Sequence, residues 1–325
     1  MVHASLHRSL TVRQLLPAGD RILMAVSGGQ DSLCMAQLLL DLQPKWDWTL
    51  AIAHCDHRWR EESAANAKQV QHLAHLWDLP FHLAAAASPP ATEAKARTWR
   101  YEQLVAIAEA QGYTAIVTGH TASDRAETLL HNLIRGAGAD GLQALAWQRS
   151  LTERIRLARP LLHLTRRETE QFCTHRQLPV WHDSTNDDPA YTRNRIRHRI
   201  LPVLNAELNP SAEAHLAQTA ELLSAEVEYL TAIAARQWYE AIDPQNDSKN
   251  HERSPRLNRL KLRPLHLALQ RRVIRHHLQH CLSTAPTYDH VEKVVALIHS
   301  PNRSQTDPLP GGAIALVQHP WILVQ

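Results

Sequence analysis

Arg21-Ile22-Leu23-Met24-Ala25-Val26 is a short apolar run, followed at once by Ser27-Gly28-Gly29-Gln30-Asp31-Ser32 and then by the stretch LCMAQLLLDL over residues 33–42. An apolar run of this length that ends in a glycine turn reads as a buried strand, and leucines at helical spacing beyond it read as a helix. The alternation recurs downstream. Residues 49–53, 80–84 and 115–118 read as strands, and 31–43, 62–78 and 92–111 as the helices between them. Strand, helix and strand repeated in this way predict an α/β fold, a doubly wound parallel sheet with helices on both faces. Ligands of such sheets bind beyond the carboxyl ends of the strands, where the glycine turn stands.

The chain has 325 residues, 44% of them hydrophobic and 21% charged, which excludes a disordered tail or a coiled-coil rod and leaves room for two domains. Its four cysteines, Cys34, Cys55, Cys173 and Cys281, have no C-x-x-C spacing, so neither a disulfide framework nor a thiolate zinc site is expected. With no leader-like segment and no long apolar run, a cytoplasmic protein without a membrane partner is expected. Most of the 22 histidines read as solvated or core-edge residues.

Beyond the fourth strand come a helix over 123–135, a turn with Gly136, Gly138 and Gly141, the segment Arg159-Pro160-Leu161-Leu162 and a helix from Thr165. Helical sequence then dominates, over 194–204, 211–241, 264–280 and 287–299. A polar loop spans 242–255, and the end reads as a turn at Pro310-Gly311-Gly312 with two short strands. Pro202 and Asn209-Pro210 place the boundary before the long helix, giving domains 1–207 and 208–325, the second mainly helical.

Two glycines let the turn approach a ligand closely, and the first N–H groups of the next helix point at whatever fills it. That is an anion site. Asp31 among phosphates would hold a Mg²⁺ rather than face them directly, and Ser27 and Ser32 add hydroxyls. A plain capped turn is the alternative. The Walker pattern is absent. The six residues resemble the SGGxDS loop of the PP-loop, or N-type, ATP pyrophosphatases, which implies cleavage of ATP between its α- and β-phosphates.

Further segments lie after successive strands: His54-Cys55-Asp56-His57-Arg58-Trp59-Arg60-Glu61-Glu62-Ser63, then Glu93-Ala94-Lys95-Ala96-Arg97-Thr98-Trp99-Arg100-Tyr101, then Gly119-His120-Thr121-Ala122-Ser123-Asp124-Arg125-Ala126-Glu127-Thr128, and Arg135 to Leu142. Together with SGGQDS they resemble the tRNA(Ile)-lysidine synthetase family, over about residues 20–300. The resemblance implies ATP and Mg²⁺, adenylation of the C2 oxygen of the wobble cytidine in an isoleucine tRNA with a CAU anticodon, and attack by the ε-amine of free L-lysine, giving lysidine, AMP and pyrophosphate. It implies catalytic roles for Asp31, Asp124 and Glu127, ATP contacts from Ser27, Gly28, Gly29, Gln30, Asp31, Ser32, His54, Arg97, Gly119 and His120, and lysine binding by Asp124 and Glu127. The spacing of Asp124 and Glu127 equally suits a helix cap, with Asp124 as the cap and Glu127 three residues on. Thr121 and Ser123 replace a histidine and an aspartate of the family pattern GHHxDD, which leaves the roles of those two positions in question, and Asp56 stands where Asn is common.

Asp183-Ser184-Thr185-Asn186 and the run from Tyr191 to Arg199 resemble family elements at the end of the first domain. Arg193, Arg195 and Arg197 are expected to reach tRNA, as are Arg271, Arg272 and Arg275 in a block from Arg253 to Tyr288 that holds eight Lys/Arg and no Asp or Glu. The formal charge of +3 divides into −1 over residues 1–150 and +4 over 151–325. The short tail matches the short form of the family. No obligatory protein partner is evident, and a homodimer is left open. A PP-loop enzyme that thiolates tRNA would call for paired cysteines, and a non-catalytic tRNA-binding protein would not call for intact SGGQDS, Asp124 and Glu127.

Overall fold

Strands covered on both faces need apolar residues at consecutive positions, and this is what the centre of the sheet shows. In the computed structural model, which describes residues 2–60, 62–182, 187–243 and 255–325, β1 (Arg21–Ala25), β2 (Thr49–Asp56) and β4 (Ala115–Thr118) are buried along nearly their whole length. Edge strand β3 (Phe81–Ala85) is only partly covered. Asp183 to Asn186, Glu61, Arg253 and most of the loop expected over 242–255 lie outside the described residues.

The sheet has the order β3-β2-β1-β4-β6-β5, with β6 (Arg156–Ala158) parallel to β4 and β5 (Gln148–Ser150) antiparallel to β6. Its faces follow the period of two along each strand. Ile22, Met24, Leu50 and Ile52 join one core with residues of α1 (Val2–Arg13), α2 (Gln30–Trp46), α3 (Ser63–Leu76) and α7 (Arg166–His175). Leu23, Ala51, Ala53 and Ile116 face Leu104 and Ala108 of α4 (Glu93–Gln111).

β2 and β4 lie on opposite sides of β1, so the connections leaving β1 and β4 diverge and open a crevice between their carboxyl ends. The glycine turn after β1 and the loop before α5 (Ala122–Ile134) form its walls. The four strands expected from sequence are present within a few residues. β5 and β6 go beyond them: three residues each, one fully exposed, they carry no apolar period to read.

After α6 (Ala139–Leu142) and α7 the chain turns at α8 (Thr192–Arg195), continues in a wider π-type turn over Ile196–Ile200, and repeats the change through α9 (Leu201–Val203) and Leu204–Leu208. α10 (Ala212–Ala241) follows. The two compact units meet inside it, at Ser224 and Ala225, rather than at 207 and 208. Glu221 explains the difference, since its carboxylate accepts from Arg125 and Trp147 and pairs with Arg13, each at 2.6 Å, anchoring the first turns of α10 to the first unit.

The second unit, 225–325, combines α11 (Arg259–Leu262), α12 (Leu267–Cys281) and α13 (Tyr288–Leu297) with a three-stranded antiparallel sheet of order β7 (Leu257–Asn258), β9 (Trp321–Val324), β8 (Ala315–Gln318). Val273, Ile274, Val294 and Ile322 are fully buried at its centre. β7, two residues long, is the strand not expected there.

Candidate active site

The turn after β1 holds its own shape. Ser32 Oγ accepts from Ser27 N–H at 3.1 Å and donates to the Gly29 carbonyl at 2.8 Å, and the Ser27 hydroxyl donates to Ser32 Oγ at 3.2 Å. Gly28 sits at φ +90°, where a side chain would be strained. Gln30, expected to face ATP, turns its amide away to donate to the Arg166 carbonyl at 2.9 Å and to Thr169 Oγ1 at 3.2 Å, tying α2 to α7. Only its backbone remains with the turn.

Gly119 is required by a close approach: a Cβ there would lie 2.7 Å from the Asp31 carbonyl oxygen. The loop after β4 therefore presses onto the first turn of α2. Beyond it Thr121 caps α5, and Asp124 reciprocates by accepting from Thr121 N–H at 2.7 Å and from its hydroxyl at 2.9 Å. The capping box is thus set three residues earlier than a cap at Asp124 would place it. Ser123 accepts from Arg166 N–H at 2.8 Å, joining the starts of α5 and α7. Both residues that depart from the family pattern hold the helices in place.

Asp31, Asp124 and Glu127 converge on one guanidinium, that of Arg166, at 3.2, 3.0 and 2.8 Å. Arg193 adds contacts of 2.8 Å to Asp124 and 2.7 Å to Glu127, and Arg197 grips Glu127 at 2.7 and 3.0 Å. Three carboxylates and three guanidiniums thus form one network around Glu127, whose side chain is fully buried. Burial works to raise the Glu127 and Asp124 carboxyls, but the arginines outweigh it and hold both below their usual values. Asp31 goes the other way: burial and the neighbouring Asp124 raise it against Arg166 and Thr169.

Arg166 and Thr169 were not among the expected site residues. A trace was present in the sequence, because an arginine in the first turn of a helix opposes the helix dipole and asks for a reason. Arg193 and Arg197, expected on tRNA phosphates, have guanidiniums engaged by the carboxylates, whereas Arg195 is exposed and donates to Thr192 Oγ1 at 2.9 Å.

His54 is buried and neutral, its Nδ1 donating to the Val26 carbonyl at 2.8 Å across β2 and β1. His120 pairs Nδ1 with Thr118 Oγ1 at 2.8 Å, and burial pushes its pKa down to about 3. Arg97, half-buried, lies over the ring of Tyr101. In the second unit Arg271 makes a two-pronged pair with Glu292 at 2.7 and 2.9 Å, and Arg272 donates to Thr231 Oγ1 at 3.2 Å, while Arg275 is exposed. Much of that basic block serves the unit itself: Arg259 is 4% exposed and donates to the Leu297 carbonyl, and Arg263 donates to that of Ile298.

Comparison with known proteins adds to this geometry. Residues 5–204 match the PP-loop domain family and residues 257–319 the TilS substrate binding domain. A tRNA(Ile)-lysidine synthase of Nostoc sp. (strain PCC 7120) is 57% identical over all of this chain and 96% of its own length. The chain belongs to the tRNA(Ile)-lysidine synthase family. Another family member, from Synechocystis sp. (strain PCC 6803), is 48% identical over 98% of this chain and 96% of its own length. Among solved structures, a U34-tRNA thiolase, NcsA, from Methanococcus maripaludis superposes with a TM-score of 0.57 over 69% of this chain and 78% of its own, at 14% identity, a likeness of fold. Within the lysidine synthase family the PP-loop match falls in the unit that carries the crevice, and the substrate-binding match falls in the other.

Proposed function

We propose that the chain ligates free L-lysine to C2 of the wobble cytidine in an isoleucine tRNA with a CAU anticodon, consuming ATP to AMP and pyrophosphate, in the cytoplasm. The observation that supports this most is the meeting of Asp31, Asp124 and Glu127 at Arg166 beside a phosphate-type turn. ATP-dependent chemistry follows from the PP-loop family itself.

The turn at residues 27–32 and the start of α2 offer N–H groups to the phosphates. Asp31 fits a Mg²⁺, which takes one or two carboxylates and completes its shell with substrate phosphates and water. When bound, that ion would neutralise charge on the leaving pyrophosphate. Arg166 can add positive charge from the same side.

Asp124 and Glu127, held ionised, receive the lysine ammonium. Their depressed pKa values make them weak bases, so their part is to bind and orient. The ammonium gives its proton to solvent water, helped by Arg166, Arg193 and Arg197, since nearby cations favour the neutral amine. That amine attacks C2 of the adenylated base and AMP leaves, so no nucleophilic side chain is required.

The test follows two products: labelled lysine in tRNA and pyrophosphate released, with ATP, Mg²⁺ and tRNA present. Asp31→Ala is expected to lower both by about 1000-fold. Glu127→Gln is expected to keep pyrophosphate release within about 10-fold while lowering lysine transfer by more than about 100-fold. Equal losses at both steps in both variants would contradict the division of roles, and no incorporation by the folded wild type would sink the assignment.

A further inference from the structure

Arg159 stands just past β6 and is 2% exposed, yet it makes no ion pair with a carboxylate among the described residues. Its Nη1 donates to the Ala146 carbonyl at 2.6 Å, and its Nε has no partner. The buried Tyr101 hydroxyl is likewise without a well-formed hydrogen bond. Around the Tyr101 ring stand three more guanidiniums, of Arg149 at 5.2 Å, Arg97 at 5.4 Å and Arg100 at 5.9 Å from its centroid. None of these three is ion-paired to a described carboxylate either.

Four arginines gathered around one ring repel one another, and a buried guanidinium without a counter-charge is costly. The arrangement makes sense when an anion completes it. Planar guanidinium forks and a phenol hydroxyl suit the oxygens of a phosphate group.

The position discriminates between phosphate sources. Arg97 and Arg100 lie on α4, which packs on the sheet face opposite α2 and its phosphate turn, and Arg149 lies on the exposed edge strand β5. Asp124, Arg159, Arg193 and Arg100 all act electrostatically on His120. An anion at Tyr101 would therefore sit on the α4 side of the sheet, beside the exposed edge strand that carries Arg149.

We infer that Arg97, Arg100, Arg149, Arg159 and Tyr101 form a phosphodiester subsite that holds the RNA backbone next to the base being modified. This deepens the proposed function and rests on it for the identity of the RNA. The ATP tail is the competing source of phosphate.

The experiment measures binding of a fluorescein-labelled anticodon stem-loop RNA with a CAU loop to the full chain at several salt concentrations, and separately the affinity for ATP. Neither lysine nor turnover is needed. Arg149→Gln, at an exposed position, is expected to weaken RNA binding by about 5-fold and to reduce the slope of log affinity against log salt by about 0.7. Arg149→Gln combined with Arg159→Gln is expected to weaken it by about 20-fold or more, with ATP affinity unchanged. Loss of ATP affinity in Arg149→Gln, alone or together with RNA affinity, would overturn the assignment to RNA, as would unchanged RNA affinity and slope. A melting curve checks the double variant, and the single variant decides if the double one fails to fold. Should lysine incorporation fail while the salt slope responds as expected, the proposed reaction falls and the subsite stands.

Discussion

Two arginine-rich regions of the first unit are built on opposite electrostatic plans. At Glu127 three guanidiniums are matched by three carboxylates, and each carboxylate is held in place by at least one of them. At Tyr101 four guanidiniums stand together, none of them ion-paired to a described carboxylate. Matched charge fixes geometry before any ligand arrives. Unmatched charge stores attraction for a ligand that brings the opposite sign. One type of side chain thus does two jobs, and its partners decide which.

The largest expected effect comes from breaking the matched region at its hub. Arg166→Met leaves Asp31, Asp124 and Glu127 facing one another without their shared cation. Removing one partner of a buried ionic network costs about 3 kcal/mol, to be read as a lower urea midpoint, and lysine incorporation should fall by about 1000-fold. A variant with full activity and unchanged stability would show that the network is ornamental.

A smaller effect tests how tightly that region is drawn together. Gly119→Ala places a methyl group against the backbone of Asp31 and Ser32, atoms that cannot swing aside. The expected loss is about 1–3 kcal/mol of stability, with Asp31 displaced and pyrophosphate release reduced about 10-fold. Thermal melts and a pyrophosphate assay check it. An unperturbed variant would mean that the loop after β4 is free to shift.

The smallest effect lies at His120. Burial keeps His120 neutral down to about pH 3 in the folded chain, whereas an unburied histidine takes its proton near 6.5. The unfolded chain therefore binds the extra proton between those values, and stability falls as pH drops through that window. Because His120 keeps a partly exposed edge, a loss of about 1 kcal/mol from pH 6.5 to 5 is expected. Asp124 stays ionised over the same range. The effect is read as the difference between wild type and His120→Asn, and identical pH profiles would remove His120 from the account.

Much of this was open to reading along the chain, and the parts that were not share a physical cause. β1, β2 and β4 are legible because burial on both faces demands unbroken apolar runs, and the turn after β1 because its residues are contiguous. Asp31, Asp124 and Glu127 stand in the first turns of helices that start at one sheet edge, so topology brings them together. Arg166, Arg193 and Arg197 reach Glu127 from 39, 66 and 70 residues away, and no local pattern encodes a meeting of that kind. A basic helix on its own looks like a surface for phosphates, and only the fold turns two of its arginines inward. β5 is exposed at each of its three positions and owes its place to pairing with β6.

Glu221 has a consequence for the order in which the molecule is made. Its carboxylate is held by Arg13, Arg125 and Trp147, so one side chain links the beginning, middle and end of the first unit. Contacts so distant in sequence form only after the intervening chain has collapsed, and they slow folding more than they limit stability. The buried arginine of α5, the helix that presents Asp124 and Glu127, gains its counter-ion only when the first turns of α10 have docked. That helix is thus among the last parts of the first unit to be locked, after the sheet that supports it.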